Sequence, residues 1–249
     1  MFKRLMVLLA LGLSLPASAE EQTLRFYGYA YDLSSGKYLY TEVHEQHAEG
    51  DRWTGGSITY VAPDGREMGR KTLSFSKDPY VPVYKLALVA RGYTEAITGV
   101  GSRVDMAKRS TSSDPEERKS ITKSGDMAAD SGFHSYIRAH FAELMAGQTI
   151  NFRMVVAGNL DSFKFRIKRI GDTRFEGKPA VQMRVEPDSL LRYLVDPLEL
   201  TYEPTERKLL EYRGISNVHD PISGKAYTAR IAYYSKPPAD APRSLPPLQ

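Results

Sequence analysis

The chain has 249 residues, no cysteine, and 34 Lys and Arg against 30 Asp and Glu. Without cysteine there are no disulfides, no thiol nucleophile and no acceptor for an acyl thioester. Two of the basic residues, Lys3 and Arg4, lie in an apparent leader, so the remainder carries 32 against 30, and this near balance, with no recognisable nucleic-acid module, argues against a nucleic-acid partner.

The chain starts Met-Phe-Lys-Arg, continues as an apolar run from Leu5 to Leu15, and reaches Pro16-Ala17-Ser18-Ala19 before Glu20 and Glu21. This order of charged, apolar and small residues predicts a secretory signal over 1–19, cleaved near Ala19. An apolar run of this length falls short of the roughly 20 residues that span a bilayer. No comparable run follows, which predicts a periplasmic or secreted protein with no transmembrane segment after cleavage.

From Leu24 onward, short alternating segments separated by turn residues predict consecutive β-hairpins. Leu24 to Tyr31 and Tyr38 to His47 flank Asp32-Leu33-Ser34-Ser35-Gly36-Lys37. Gly56 to Val61 and Met68 to Phe75 flank Pro63-Asp64-Gly65-Arg66, where proline fixes φ and glycine takes the left-handed position. Further strands are expected over Tyr84 to Val89, Tyr93 to Val100 and Arg103 to Arg109, then an exposed loop over Ser110 to Lys119.

One long amphipathic helix is expected next. Phe133, Tyr136, Ile137, His140, Phe141, Leu144 and Met145 form a stripe at helical spacing, Asp130 or Ser131 can cap its start, and Gly147 stands past its end. Strands at Thr149 to Val156, Leu160 to Ile170 and Ala180 to Val185 follow, then a helical turn at Ser189 to Leu194 and a strand over Leu198 to Tyr202. A last hairpin joins Leu209 to Val218 with Ala226 to Tyr234 through Asp220-Pro221-Ile222-Ser223-Gly224-Lys225. Residues 236–249 carry five prolines and predict a disordered tail after a single β-rich domain over 20–235. An antiparallel sheet with one striped helix buries that stripe on its concave face, so the expected fold is mainly β (α+β): a curved sheet or unclosed barrel wrapped around the helix.

Candidate sites are few. In His44-Glu45-Gln46-His47 the two histidines fall on opposite faces of a strand and lack a third ligand, so no metal site is expected. Gly36-Lys37 and Gly224-Lys225 lack the remaining positions of a phosphate loop and read as turns. No serine sits in a strand-to-helix elbow, so no catalytic residue and no cofactor is assigned. The apolar helix face, Phe133, Ile137, His140, Phe141 and Leu144, is the candidate binding surface for a lipid-like or other apolar ligand. Lys164, Arg166 and Lys168 alternate with Phe163, Phe165 and Ile167, and with Arg153 and Arg184 they form a candidate face for an anion or partner. The sixteen tyrosines suit ordinary sheet surfaces.

The runs Leu160-Asp161-Ser162-Phe163-Lys164-Phe165, Val185-Glu186-Pro187-Asp188-Ser189 and Tyr212-Arg213-Gly214-Ile215-Ser216-Asn217 resemble exported proteobacterial β-rich domains of unknown function. The arrangement of strands around one helix behind a signal resembles the lipoprotein-carrier superfamily. That second resemblance implies an unclosed barrel enclosing a cavity for acyl chains, over most of Thr23 to Ser235. The expected function is a non-enzymatic periplasmic protein that binds or carries an apolar ligand. The alternative is a cell-envelope interaction module using the basic sheet face, with a hydrolase disfavoured.

Overall fold

The computed structural model describes residues 21–50, 52–189, 196–243 and 245. The expected signal over 1–19 and Leu190 to Leu194 of the expected helical turn lie outside the described residues.

Eight strands lead off: β1 (Glu21–Asp32), β2 (Tyr38–Glu49), β3 (Arg52–Val61), β4 (Glu67–Ser74), β5 (Val83–Leu88), β6 (Thr94–Val100), β7 (Arg103–Arg109) and β8 (Glu117–Thr122). A short β9 (Met127–Ala129) leads into helices α1 (Gly132–Ala139) and α2 (Phe141–Met145). The chain returns through β10 (Ile150–Val156), β11 (Asp161–Phe175), β12 (Lys178–Pro187), β13 (Leu198–Tyr202), β14 (Leu209–His219) and β15 (Ala226–Ala232). All belong to one sheet in the order β8-β7-β6-β5-β4-β3-β2-β1-β15-β14-β13-β12-β11-β10-β9. Each pairing is antiparallel except β9 with β10, which the two helices connect as a parallel crossover.

The order fixes the shape. The edges of the sheet are β8 and β9, yet only residues 123–126 separate them in sequence. Five Cα steps of ~3.8 Å reach at most about 19 Å, whereas a flat sheet of this many strands at ~4.8 Å spacing would hold its edges several times farther apart. The sheet therefore curls almost fully round into an unclosed barrel whose seam runs between β8 and β9.

The hairpins follow the turn chemistry. In the two similar six-residue turns, Asp32 Oδ1 accepts from the backbone of Ser34 and Ser35, and Asp220 Oδ1 from that of Ile222 and Ser223. Gly36 and Gly224 both adopt φ 71°. Of the stretch expected as loop, residues 117–119 open β8. Its charged, exposed residues hid it from a hydrophobicity reading, but charge is how an edge strand resists further pairing.

The single long helix is not found. His140, at φ −98° and ψ 13°, leaves helical geometry and separates α1 from α2. α2 closes as expected: Gly147 has φ 85°, and the amides of Gly147 and Gln148 donate to the carbonyls of Leu144 and Glu143. Asp130 is not a helix cap. It takes a left-handed φ of 46° and turns its side chain into the sheet, and Ser131 precedes α1 with no side-chain cap bond. Among the described residues no helix is long and apolar enough to cross a membrane.

Two apolar clusters fill much of the interior. One joins Tyr40, Tyr60, Leu86, Ile97 and Met106 to Val155, Ala157, Leu160 and Ile231. The other packs Phe133, Tyr136, Ile137, Phe141 and Leu144 onto Phe152, Ile167, Met183, Val185, Leu200 and Tyr202. A third lies on the opposite face of β1, where Tyr27, Tyr29, Tyr31 and Tyr38 pack with Tyr234, Ala241 and Leu245. The start of the proline-rich tail is thus held against the sheet, with the Tyr31 hydroxyl 3.1 Å from Asp240 Oδ1.

Leu144 is fully buried, so Leu144→Ala should cost about 2–5 kcal/mol. His140 is partly exposed, its ring paired with Glu143 and set against Tyr136, so His140→Ala should cost about 1 kcal/mol or less. Urea denaturation of the two variants checks the contrast, and similar losses would contradict this packing.

Candidate functional site

Strand parity decides which side chains enter the barrel. On β2, Tyr40, Glu42, His44 and Gln46 point inward, while Glu45 and His47 face out and meet Arg25 and Glu21. The register then sets an inward row across five strands: His44 beside Ile58, Ile58 beside Lys71, Lys71 beside Leu86, and Leu86 beside Glu95. Three charged or ionisable groups, His44, Lys71 and Glu95, are thereby carried inward beside Ile58 and Leu86.

Lys71 and Asp130 form the centre of this set. Lys71 Nζ lies 2.5 Å from Asp130 Oδ2, with side-chain exposures of 5% and 3%. Asp130 is saturated with donors: Asn217 Nδ2 also reaches Oδ2 at 2.7 Å, while the Ser131 amide and hydroxyl reach Oδ1 at 2.7 and 2.9 Å. Burial opposes ionisation of Asp130, but Lys71 and the Ser131 donors outweigh it and hold the carboxyl below its usual range. Lys71 also sits 5.6 Å from the centroid of the Tyr84 ring.

The two buried glutamates of the cavity lining, Glu95 and Glu42, are built differently. Glu95 accepts from the hydroxyls of Tyr84 at 3.0 Å and Tyr93 at 2.7 Å, and burial raises its pKa against those bonds and the field of Lys71. Glu42 Oε2 takes His44 Nε2 at 2.8 Å and the Tyr233 hydroxyl at 3.2 Å. Each carboxylate occupies room left by a glycine. A Cβ on Gly158 would stand 2.5 Å from Glu95 Oε2, and one on Gly28 would stand 2.9 Å from Glu42 Oε2. The phenols of Tyr60 and Tyr212 report how closely these groups converge: burial raises both, Glu42 and Asp130 push both further, Glu95 adds to Tyr60 and Lys71 opposes at Tyr212.

Above these groups lies a cavity of about 740 Å³, within the range of roughly 300–1,000 Å³ typical of small-molecule sites. One wall is Phe26, Trp53, Ile58 and Tyr60 from β1 and β3, and the facing wall is Leu198, Leu200, Leu209 and Tyr212 from β13 and β14. α1 contributes Phe133, His134 and Arg138. The rim carries Leu24 and Ile215, both well exposed. His134 stacks on Tyr202, whose hydroxyl lies 3.0 Å from its Nδ1. Burial, with the field of Arg138, pushes this imidazole down to about 4.

The expected residues divide. Phe133 lines the cavity, but Ile137, Phe141 and Leu144 are packed core between helix and sheet and do not line it. His140, expected on the apolar stripe, is partly exposed with Nδ1 2.5 Å from Glu143 Oε2, because the helix breaks there. On the outer face, Arg166 and Lys168 both meet Glu186, and Arg184 meets Glu199. Arg153 donates to Ser162, and Lys164 is exposed beside it in the register. The basic row is therefore interleaved with carboxylates. Among the described residues, no group of three or more His, Asp or Glu is arranged to hold a metal ion.

Lys71, Glu42 and Glu95 escaped the sequence reading although a signal was present. Each stands in phase with the apolar positions of its strand: Lys71 with Leu73 and Phe75, Glu42 with Tyr40, Glu95 with Ile97.

No protein-family model matches the chain, and no curated protein matches it. Among solved structures it is similar to a β-barrel-like protein of the domain of unknown function DUF1849 from Brucella abortus, with 8% identity and a TM-score of 0.51. The likeness covers 86% of this chain and 98% of that one. It concerns the fold alone, a β-rich, barrel-like domain.

Removing the charge of Asp130 would strand a buried ammonium, so Asp130→Asn should cost about 3–5 kcal/mol. Adding Lys71→Met to that variant should restore most of the loss, as measured by urea denaturation. The pH response follows from His134: its folded pKa lies below the unfolded value of about 6.5, so the unfolded chain binds the extra proton. Stability should fall as pH drops from about 6.5 towards about 4. His134→Gln should flatten the upper part of that decline, and an unchanged slope would contradict the burial of the neutral ring.

Proposed function

We propose that the protein is a non-enzymatic, exported binding or carrying module for a ligand with an apolar body, held between the β1–β3 and β13–β14 walls. The observation that carries this reading is the cavity of about 740 Å³ lined by Phe26, Trp53, Ile58, Phe133, Leu198 and Leu200. Apolar side chains that could have met across this space leave it open instead, although interiors are normally packed to crystal density. The helix stripe is consumed by core packing, so the ligand sits beside α1 against Phe133 and His134 rather than under the stripe.

Export is supported by the order Lys3-Arg4, Leu5 to Leu15 and Pro16 to Ala19. The alternative, a partner docking on the basic sheet face, draws less support, because Glu186 and Glu199 already engage Arg166, Lys168 and Arg184.

The test is binding of the neutral apolar fluorophore N-phenyl-1-naphthylamine to the purified protein, together with native mass spectrometry for co-purified lipid. Leu198→Trp places an indole in the cavity and should weaken fluorophore binding at least tenfold while leaving the circular dichroism unchanged. Lys164→Glu, on the outer face, should leave binding unaltered. If Leu198→Trp binds as well as the parent, the ligand does not occupy this cavity.

A further inference from the structure

Within that cavity reading, on which this inference rests, the floor carries more information than the walls. Lys71 Nζ has three donors, and the hydrogen bond assigned to it among the described residues goes to Asp130 Oδ2. Glu42 uses Oε2 for both His44 and Tyr233, and among the described residues Oε1 has no hydrogen-bond partner. Both side chains line the cavity and both are about nine-tenths buried or more. The lining thus offers an unfilled donor and an unfilled acceptor on two deeply buried side chains.

Charge decides what can sit there. A ligand anion reaching Lys71 would meet the Asp130 carboxylate already held 2.5 Å from the ammonium, with Glu42 and Glu95 in the same lining, and a ligand cation entering the cavity would share it with the Lys71 ammonium. A wholly apolar end would leave buried polar groups unmatched, at a cost of about 1–3 kcal/mol each. We propose that the cavity takes an amphiphile polar end first, and that this end is an uncharged group able both to donate and to accept, such as a carboxamide or a hydroxyl, bridging Lys71 Nζ and Glu42 Oε1. The apolar body then extends between the Trp53 and Leu198 walls towards the rim at Leu24 and Ile215. This orientation is the reverse of an amphiphile that anchors its head at the mouth.

Four ligands sharing one C10 chain separate the cases: decanamide, 1-decanol, decanoate and decylammonium, each competed against N-phenyl-1-naphthylamine on the mature chain near pH 7.5. The amide and the alcohol should displace the fluorophore at least tenfold more tightly than either charged chain. In Glu42→Gln, a near-isosteric change that removes one carboxylate, decanoate should gain at least tenfold relative to decanamide. Equal or tighter binding of a charged chain by the parent protein overturns the polar floor while leaving the cavity as a binding site. Failure of the fluorophore itself to bind overturns both. The parent series decides the matter even where Glu42→Gln does not fold.

Discussion

A four-residue link between the two edges of one sheet constrains everything else in this protein. Because β8 and β9 are joined by residues 123–126, the strands between them must wrap round and enclose an interior. The order of the sheet shows how this is reached: the chain lays strands outward from β1, crosses the seam, and returns strand by strand until β15 pairs with β1. Only the crossover from β9 to β10 needs a long connection, since parallel neighbours cannot be joined by a tight turn. The helices are that connection. They enter the interior because an apolar stripe at the seam has nowhere else to be buried.

Two short helices cannot fill such a volume. α1 and α2 satisfy the concave surface of β10 to β13 through Ile137, Phe141 and Leu144, and the opposite half is filled by its own aromatic and aliphatic residues with Ala157 and Leu160 from the connection between β10 and β11. Between these fillings remains the space bounded by β1–β3, β13–β14 and the start of α1. The cavity is a consequence of closure with too little filling.

Much of the fold could be read from local signals, because hairpins announce themselves locally. Pro63-Asp64-Gly65 and the two Asp to Gly-Lys turns give both strand ends and register, and the expected strands over Arg103 to Arg109 and Leu198 to Tyr202 coincide with β7 and β13. Non-local facts were not legible. Nothing in the local pattern of β1 or β15 says that they pair, and so nothing says that the sheet closes. The break at His140 was hidden because helical spacing continues unbroken from Phe133 to Leu144 whether or not the axis bends. The basic row read correctly as one face of a strand, but Glu186 and Glu199 become its partners only through the pairing of β11 with β12 and of β12 with β13. The floor of the cavity failed to appear for a different reason: a lone charge in phase with an apolar face looks like noise until the register sets several of them side by side.

Asp130 links these observations. Its backbone ends the seam strand and begins the approach to α1, while its side chain binds Lys71 on β4 and Asn217 on β14. Three segments remote in sequence are thus fastened at one carboxylate. A buried ion pair of this kind contributes little net stability over a well-packed apolar alternative, so its effect is best sought in geometry. Holding Asp130 against Lys71 fixes where α1 starts, hence how far Phe133 and His134 project into the space beneath Tyr202. The same contact keeps a buried ammonium in the lining of the cavity. One pairing thereby ties the start of α1 to the charge carried in the cavity lining, so a change at either partner touches both.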